Sequence, residues 1–349
     1  MVSFNLVYCT LNFVAPMTTE RIDGLNILLV LFSLMLAYFM PFDLFLFSYA
    51  FLGPLHYLTE INWLKKRNYF MRSHSNWTWL FVVFAALVAI YPLLKLLGFG
   101  LSSSALSILR DFSLQLVSAL LITSLLFSVF LVLFKEVKVL ILAFCLLFTT
   151  VFLGFYFWPN AYLLVAAFIP TVIHVYLFTL LFVVYGALKS KSRRGIGLSV
   201  LIALVPLVIA FLPVDAASYV PDDGTWSAFL SSSLGSVNHS IGQVFGFTDG
   251  ITNRPLSTLG VRIQVFIAFA YTYHYLNWFS KTSIIGWKKV LSKRGFALVV
   301  GLWLAAVSVY AYDFETGFVL LLFLSFLHVF MEFPLNVVTI KALFNRKAH

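Results

Sequence analysis

Long apolar runs separated by short polar breaks organise the chain, and each approaches the roughly 20 residues an α-helix needs to cross a hydrocarbon layer about 30 Å thick. Ten spans follow from this pattern, at about 25–40, 43–63, 78–98, 112–134, 138–157, 161–187, 196–213, 259–280, 296–312 and 317–340. They exceed the shorter, alternating segments of a membrane barrel. The predicted fold is therefore all-α: a polytopic integral membrane helical bundle of about ten transmembrane helices, forming a single transmembrane domain over 1–349. One connection, 214–258, is far longer than the rest and rich in Ser, Gly and Pro. A loop of that length is either a lid over a site or a plain connector.

Composition supports this class. Apolar residues make up 62% and charged residues 10% of the chain, against roughly 25% charge in an average soluble domain. So little polar surface cannot clothe a soluble core, and lipid takes the place of water. The net charge of +10 would suit nucleic acid, but its distribution points elsewhere. If the span ending at Trp63 faces the cytoplasm, because Lys65, Lys66 and Arg67 follow it, alternation leaves only Lys95, Arg110, Arg254 and Arg262 outside. That puts 19 of the 23 basic residues inside. Both termini are then cytoplasmic, and no nucleic-acid partner is implied. The first 20 residues lack a basic leader and a small-residue cleavage site and do not read as a signal peptide. Cys9 and Cys145 are too isolated for a disulfide framework, and the sequon-like triplets at Asn76 and Asn238 do not settle which membrane holds the chain.

Ionisable side chains inside a membrane are costly and mark function. Of seven histidines, His74, His239 and His349 fall in loops or at the terminus, while His56, His174, His274 and His328 lie in spans 2, 6, 8 and 10, which share one direction. Counting to the first basic residue beyond each (Lys65, Lys189, Lys281, Lys341) gives offsets of 9, 15, 7 and 13 residues. At about 1.5 Å per residue all four occupy one layer, roughly 10–23 Å deep. Two have a glutamate four residues on, His56 with Glu60 and His328 with Glu332, which helical spacing puts on one face. Asp43, near an outer end, is the only other acid in the ten spans.

Imidazoles with carboxylate partners suit iron, copper or zinc, and not the oxygen-seeking magnesium or calcium. Fe(II) is the expected ion: a site among Phe and Leu receives lipids, and the difficult reaction of an unactivated lipid is oxidation by O2. Haem between paired histidines is a further candidate. Tyr271 and Asn277 stand ready to orient or polarise a bound ligand, whereas Tyr275 and Trp278 fit an interfacial aromatic belt and Arg262 a snorkelling side chain. Pro54, Pro170 and Pro334 interrupt three of the four histidine-bearing spans and would open room by kinking them. No Gly-rich phosphate loop, nucleophile elbow, zinc-protease motif or clustered His-x-x-His box is present.

The segment Gly53-Pro54-Leu55-His56-Tyr57-Leu58-Thr59-Glu60 resembles the Gly-x-Pro-His-x-x-x-Asp segment of the Brp/Blh family, with proline one residue earlier and glutamate for aspartate. The family's later pair of histidines four apart has Trp278 in place of its second member. Its members are integral membrane dioxygenases that cleave beta-carotene to retinal with histidine-bound iron, so the resemblance implies that His56 is an iron ligand. The expected function is a membrane non-haem iron oxygenase. His56, His174, His274 and His328 would hold the metal, with Glu60 and Glu332 beside them, and a hydrophobic lipid, isoprenoid or carotenoid substrate and O2 would enter from the bilayer. A proton- or ion-coupled transporter, a b-type cytochrome and a non-catalytic scaffold are the alternatives.

Overall fold

The computed structural model describes residues 18–67, 77–98, 103–158, 161, 165, 168–232, 234–244, 255–282 and 292–345. Expectations about residues 1–17, His74, Asn76 and His349 fall outside that set. Among the described residues every regular element is helical.

Local chemistry sets the helix boundaries. Thr18 accepts from the Arg21 N–H and starts α1 (Thr19–Phe39), and Pro41, with no N–H to satisfy, opens α2 (Pro41–Phe47). A π turn, Ser48–Leu52, joins α2 to α3 (Gly53–Arg67). There follow α4 (Trp77–Leu96), α5 (Ser103–Leu133) and α6 (Val137–Phe157). A π-helical stretch, Ile169–Phe178, leads into α7 (Thr179–Ser190). The remaining long helices are α8 (Arg193–Phe211), α11 (Thr258–Lys281), α12 (Lys293–Tyr312) and α13 (Phe314–Asn345). The short α9 (Asp223–Ser231) and α10 (Gly235–Val244) lie between α8 and α11. Ser192, Ser257 and Ser292 begin α8, α11 and α12, each accepting the N–H of the glycine three residues on at 3.0, 3.0 and 3.1 Å.

Among the described residues, eight helices are long and apolar enough to cross a membrane. The protein thus has multi-pass helical membrane character, and Leu28, Leu142 and Phe211 on its outer faces are more than half exposed. Of the ten sequence spans, two have no counterpart among the eight, and both for a physical reason. The second span is divided by the π turn and ends in Lys65, Lys66 and Arg67. The eighth, α11, is the most enclosed helix: it buries Gln264, Thr272, His274 and Asn277 against protein, so it does not need the apolar surface that lipid demands.

Two apolar cores fill the bundle. One surrounds α11 with α1, α2 and α8, and the other gathers α4, α5, α6 and α13. The four histidines project from α3, the π-helical stretch, α11 and α13, along the seam between these cores.

The described part of the 214–258 connection is folded and pinned down. A 3-10 turn, Ala216–Tyr219, precedes α9, which Asp222 caps through the N–H groups of Gly224 and Thr225 at 2.9 and 3.1 Å. The Thr225 hydroxyl donates to Asp43 at 2.8 Å, Phe229 packs edge-on against Phe42, and Asn238 donates to the Gly260 carbonyl at 2.8 Å and to Gln264 at 3.2 Å. Asn238 is fully buried, which is incompatible with a glycan in the folded protein. Replacing Asn238 with alanine strands the Gln264 amide oxygen and should lower stability by about 1–3 kcal/mol, read as a drop in melting temperature in detergent. The Arg262 guanidinium donates to the Leu212 carbonyl at 3.0 Å, capping the end of α8.

Candidate metal centre

The depth arithmetic places four histidines in one layer, and their rings meet there. His274 Nε2 stands 3.1 Å from His56 Nε2, and His174 Nε2 stands 3.1 Å from His328 Nε2. Neighbouring ring centroids around the group are 4.7 Å (His56 and His274), 5.2 Å (His56 and His328), 5.2 Å (His174 and His274) and 5.1 Å (His174 and His328). One nitrogen each from His56, His274 and His328 fits within 4.8 Å of the others. All four side chains are buried.

A group behind one of the rings decides which nitrogen carries the proton. The Thr179 hydroxyl donates to the Val175 carbonyl at 2.7 Å, which leaves its oxygen to accept the Nδ1–H of His274, also at 2.7 Å. The His274 Nε2 lone pair then points into the cluster. Glu332 Oε2 lies 3.2 Å from His174 Nδ1, a close approach without hydrogen-bond geometry. This corrects the expected partnership of Glu332 with His328 on its own helix: the carboxylate reaches across to a different helix, and His328 Nδ1 makes no hydrogen bond. Glu60 keeps its expected partner, with Oε2 3.0 Å from His56 Nε2. That is the nitrogen facing His274, so Glu60 sits at the cluster itself and not behind it.

Two cavities flank the histidines. The larger, about 520 Å³, is lined by His56, Glu60, His274, Glu332 and Asn277 and runs to Lys281. The smaller, about 180 Å³, is lined by His174, His274 and His328 together with Tyr49, Tyr57 and Tyr271. Of the histidines, His274 alone borders both. Leu234, Ser236 and Val237 from the 214–258 connection also line the smaller cavity, so this connection closes over the tyrosine side of the cluster. Asn277 and Tyr271 face opposite chambers: the Asn277 amide oxygen makes no hydrogen bond, while the Tyr271 hydroxyl meets that of Thr171 at 3.2 Å.

Several contributors were not expected from sequence. Tyr275, assigned to an interfacial belt, is 1% exposed and packs 5.1 Å from the His56 ring. Its hydroxyl meets that of Tyr57 at 2.9 Å. Tyr57 in turn stacks on His328 at 4.3 Å. Trp278 donates to Thr59 at 2.9 Å and lies edge-on to His56. Asp23, just outside the first predicted span, is 7% exposed and lines the larger cavity. His239, by contrast, is exposed on α10 and meets Gln243 at 2.9 Å.

Imidazole nitrogens held at about 2.0–2.1 Å by one ion stand roughly 2.8–3.4 Å apart, from right-angle to tetrahedral spacing. Both facing pairs fall in that range. His56, His274 and His328, whose nitrogens gather within 4.8 Å of one another, could therefore hold a borderline transition metal, with Glu60 close enough to add an oxygen. No family model, no curated protein and no solved structure matches the chain.

Proposed function

We propose that the chain is an integral membrane, metal-dependent oxygenase acting on a hydrophobic lipid, isoprenoid or carotenoid substrate. It would cross the membrane ten times with both termini in the cytoplasm, and Fe(II) would be held by His56, His174, His274 and His328. The observation that carries this reading is the meeting of four buried imidazoles from four helices at 3.1 Å contacts, one of them, His274, with its proton turned away from the cluster by Thr179. The direct ring-to-ring packing favours an ion over haem, which needs a flat slot between its axial ligands. The partial likeness to the Brp/Blh segment around His56 points the same way.

When bound, iron supplies activation of O2. The protein's own groups do the rest. Thr179 holds His274 in one tautomer, Glu60 accepts or returns a proton at the edge of the cluster, and the aromatic walls exclude water. Elemental analysis of the purified protein, with mass spectrometry of co-purified lipid, tests the proposal: iron near one atom per chain and a bound apolar molecule are expected, and a metal-free preparation overturns it. Thr179→Val removes the hydroxyl that accepts from His274, and should weaken metal binding by about 10–100-fold without unfolding the bundle, as measured by competition with a chelator.

A carrier is the second reading, favoured by the two cavities that reach the histidines from opposite sides. It requires pH-coupled flux of a solute or ion in liposomes, with no lipid turnover.

A further inference from the structure

The larger cavity has a polarity gradient that identifies the shape of its ligand. Its deep end holds His56, His274, Glu60 and Glu332; its walls include Trp63, Phe182, Val183 and Leu335; its mouth carries Lys189, Ser190, Lys281 and Thr19. His274 and Lys281 are seven residues apart on α11, which is about 10 Å along the axis. A volume of about 520 Å³ lies within the range of small-molecule sites, roughly 300–1,000 Å³.

Asp23 is the one carboxylate at the mouth, and it is turned toward α8. Its Oδ2 lies so close to Gly195 that a methyl group there would come within 2.8 Å. Gly195 is in the first turn of α8, whose N-terminal dipole favours a negative charge. Among the described residues Asp23 makes no ion pair within 4.0 Å with either lysine. Lys189 lies over the Tyr185 ring, 5.6 Å from its centroid, and among the described residues neither it nor Lys281 has a carboxylate within 4.0 Å, so their N–H donors can meet a ligand. A pure hydrocarbon would fill the walls and leave these cations unmatched, and a small anion would leave the walls empty.

We infer that the larger cavity binds an amphiphile with an anionic carboxylate or phosphate head at Lys281 and Lys189 and its chain reaching toward the histidines. Resting on the oxygenase reading, this makes the substrate an anionic lipid that meets the metal centre part-way along its chain, about 10 Å from the head.

The test is equilibrium binding of radiolabelled palmitate, hexadecyl phosphate and hexadecanol to the full-length protein in nonionic detergent. One or both anions should bind about tenfold tighter than the alcohol, a difference of about 1.4 kcal/mol. Which anion is preferred identifies the head. Lys281→Gln, or Lys281→Gln with Lys189→Gln, should abolish that preference and leave hexadecanol binding unchanged. Val183→Trp, which fills the cavity, should weaken all three ligands. Equal affinity for anion and alcohol in the wild type, a preference that survives loss of both lysines, or indifference to Val183→Trp overturns the inference. The readout does not need metal. A preparation without iron that still prefers the anions sinks the oxygenase reading alone, and an iron-loaded one with no preference sinks the amphiphile alone.

Discussion

Substituting alanine for His174 is expected to take the iron content of the purified protein from about one atom per chain to near zero, and to lower stability at the same time. The two effects have different causes. Loss of metal follows from removing a donor whose Nε2 meets His328 Nε2 at 3.1 Å, a change more severe than removing a group behind a ligand, which costs about 10–100-fold in affinity. Loss of stability follows from Glu332, a buried carboxyl group that would lose the ring it lies 3.2 Å from; a buried polar group left beside an empty space costs about 1–3 kcal/mol. The pair His174→Ala with Glu332→Gln separates them. The amide offers donors as well as an acceptor to the vacated space, so the melting temperature should recover in part while the iron stays absent. Iron retained in His174→Ala would show that this ring is not a ligand, and recovery of iron in the double variant would show that His174 matters only for folding.

Gly317→Ala should produce the largest purely structural defect. Here α12 and α13 meet at a tight corner, with Asp313 capping α13 through the Thr316 N–H at 2.7 Å. A Cβ on Gly317 would stand 2.5 Å from Tyr310 Cδ1 and 2.9 Å from Tyr310 Cα. The second of these is backbone, so turning the tyrosine ring cannot relieve it and the helices must part. Overpacking of this kind costs about 1–3 kcal/mol. It should appear as a lower melting temperature in detergent, with normal iron content in whatever protein remains folded. Gly154→Ala is the control: nothing lies within 4 Å of its added methyl group, and alanine's better helix propensity should leave stability unchanged or raise it by about 0.5–1 kcal/mol.

The helices were legible in the sequence because lipid imposes a nearly uniform apolar demand on each long span. The histidine layer was legible for a related reason: intramembrane polar residues are few enough that their depths can be compared by counting residues. What could not be read was anything decided by rotation about a helix axis or by contact between helices. Helical spacing correctly put Glu60 beside His56, but it also suggested Glu332 for His328, where the crossing of α13 with the π-helical stretch delivers the carboxylate to His174 instead. Thr179 carried no signal, since one hydroxyl among many marks nothing until His274 is found against it. Asp23 was missed because the apolar run begins just after it, whereas the helix starts at Thr19. Tyr275 looked like an interfacial aromatic because its neighbours are aromatic and polar, yet α11 is enclosed by protein at that depth.

The π-helical winding over Ile169–Phe178 bears directly on how His174 is aimed. Each wide turn holds one more residue than an α turn, and one residue of an α-helix subtends about 100° of azimuth. Deleting a single residue ahead of His174, with both ends of the helix held by their neighbours, would let ordinary winding return and swing the imidazole away from its three companions while keeping the span's overall length nearly the same. Ligand geometry at this position is thus stored in how the backbone is wound, and a homologous chain could keep every histidine yet lose the centre through one missing amino acid.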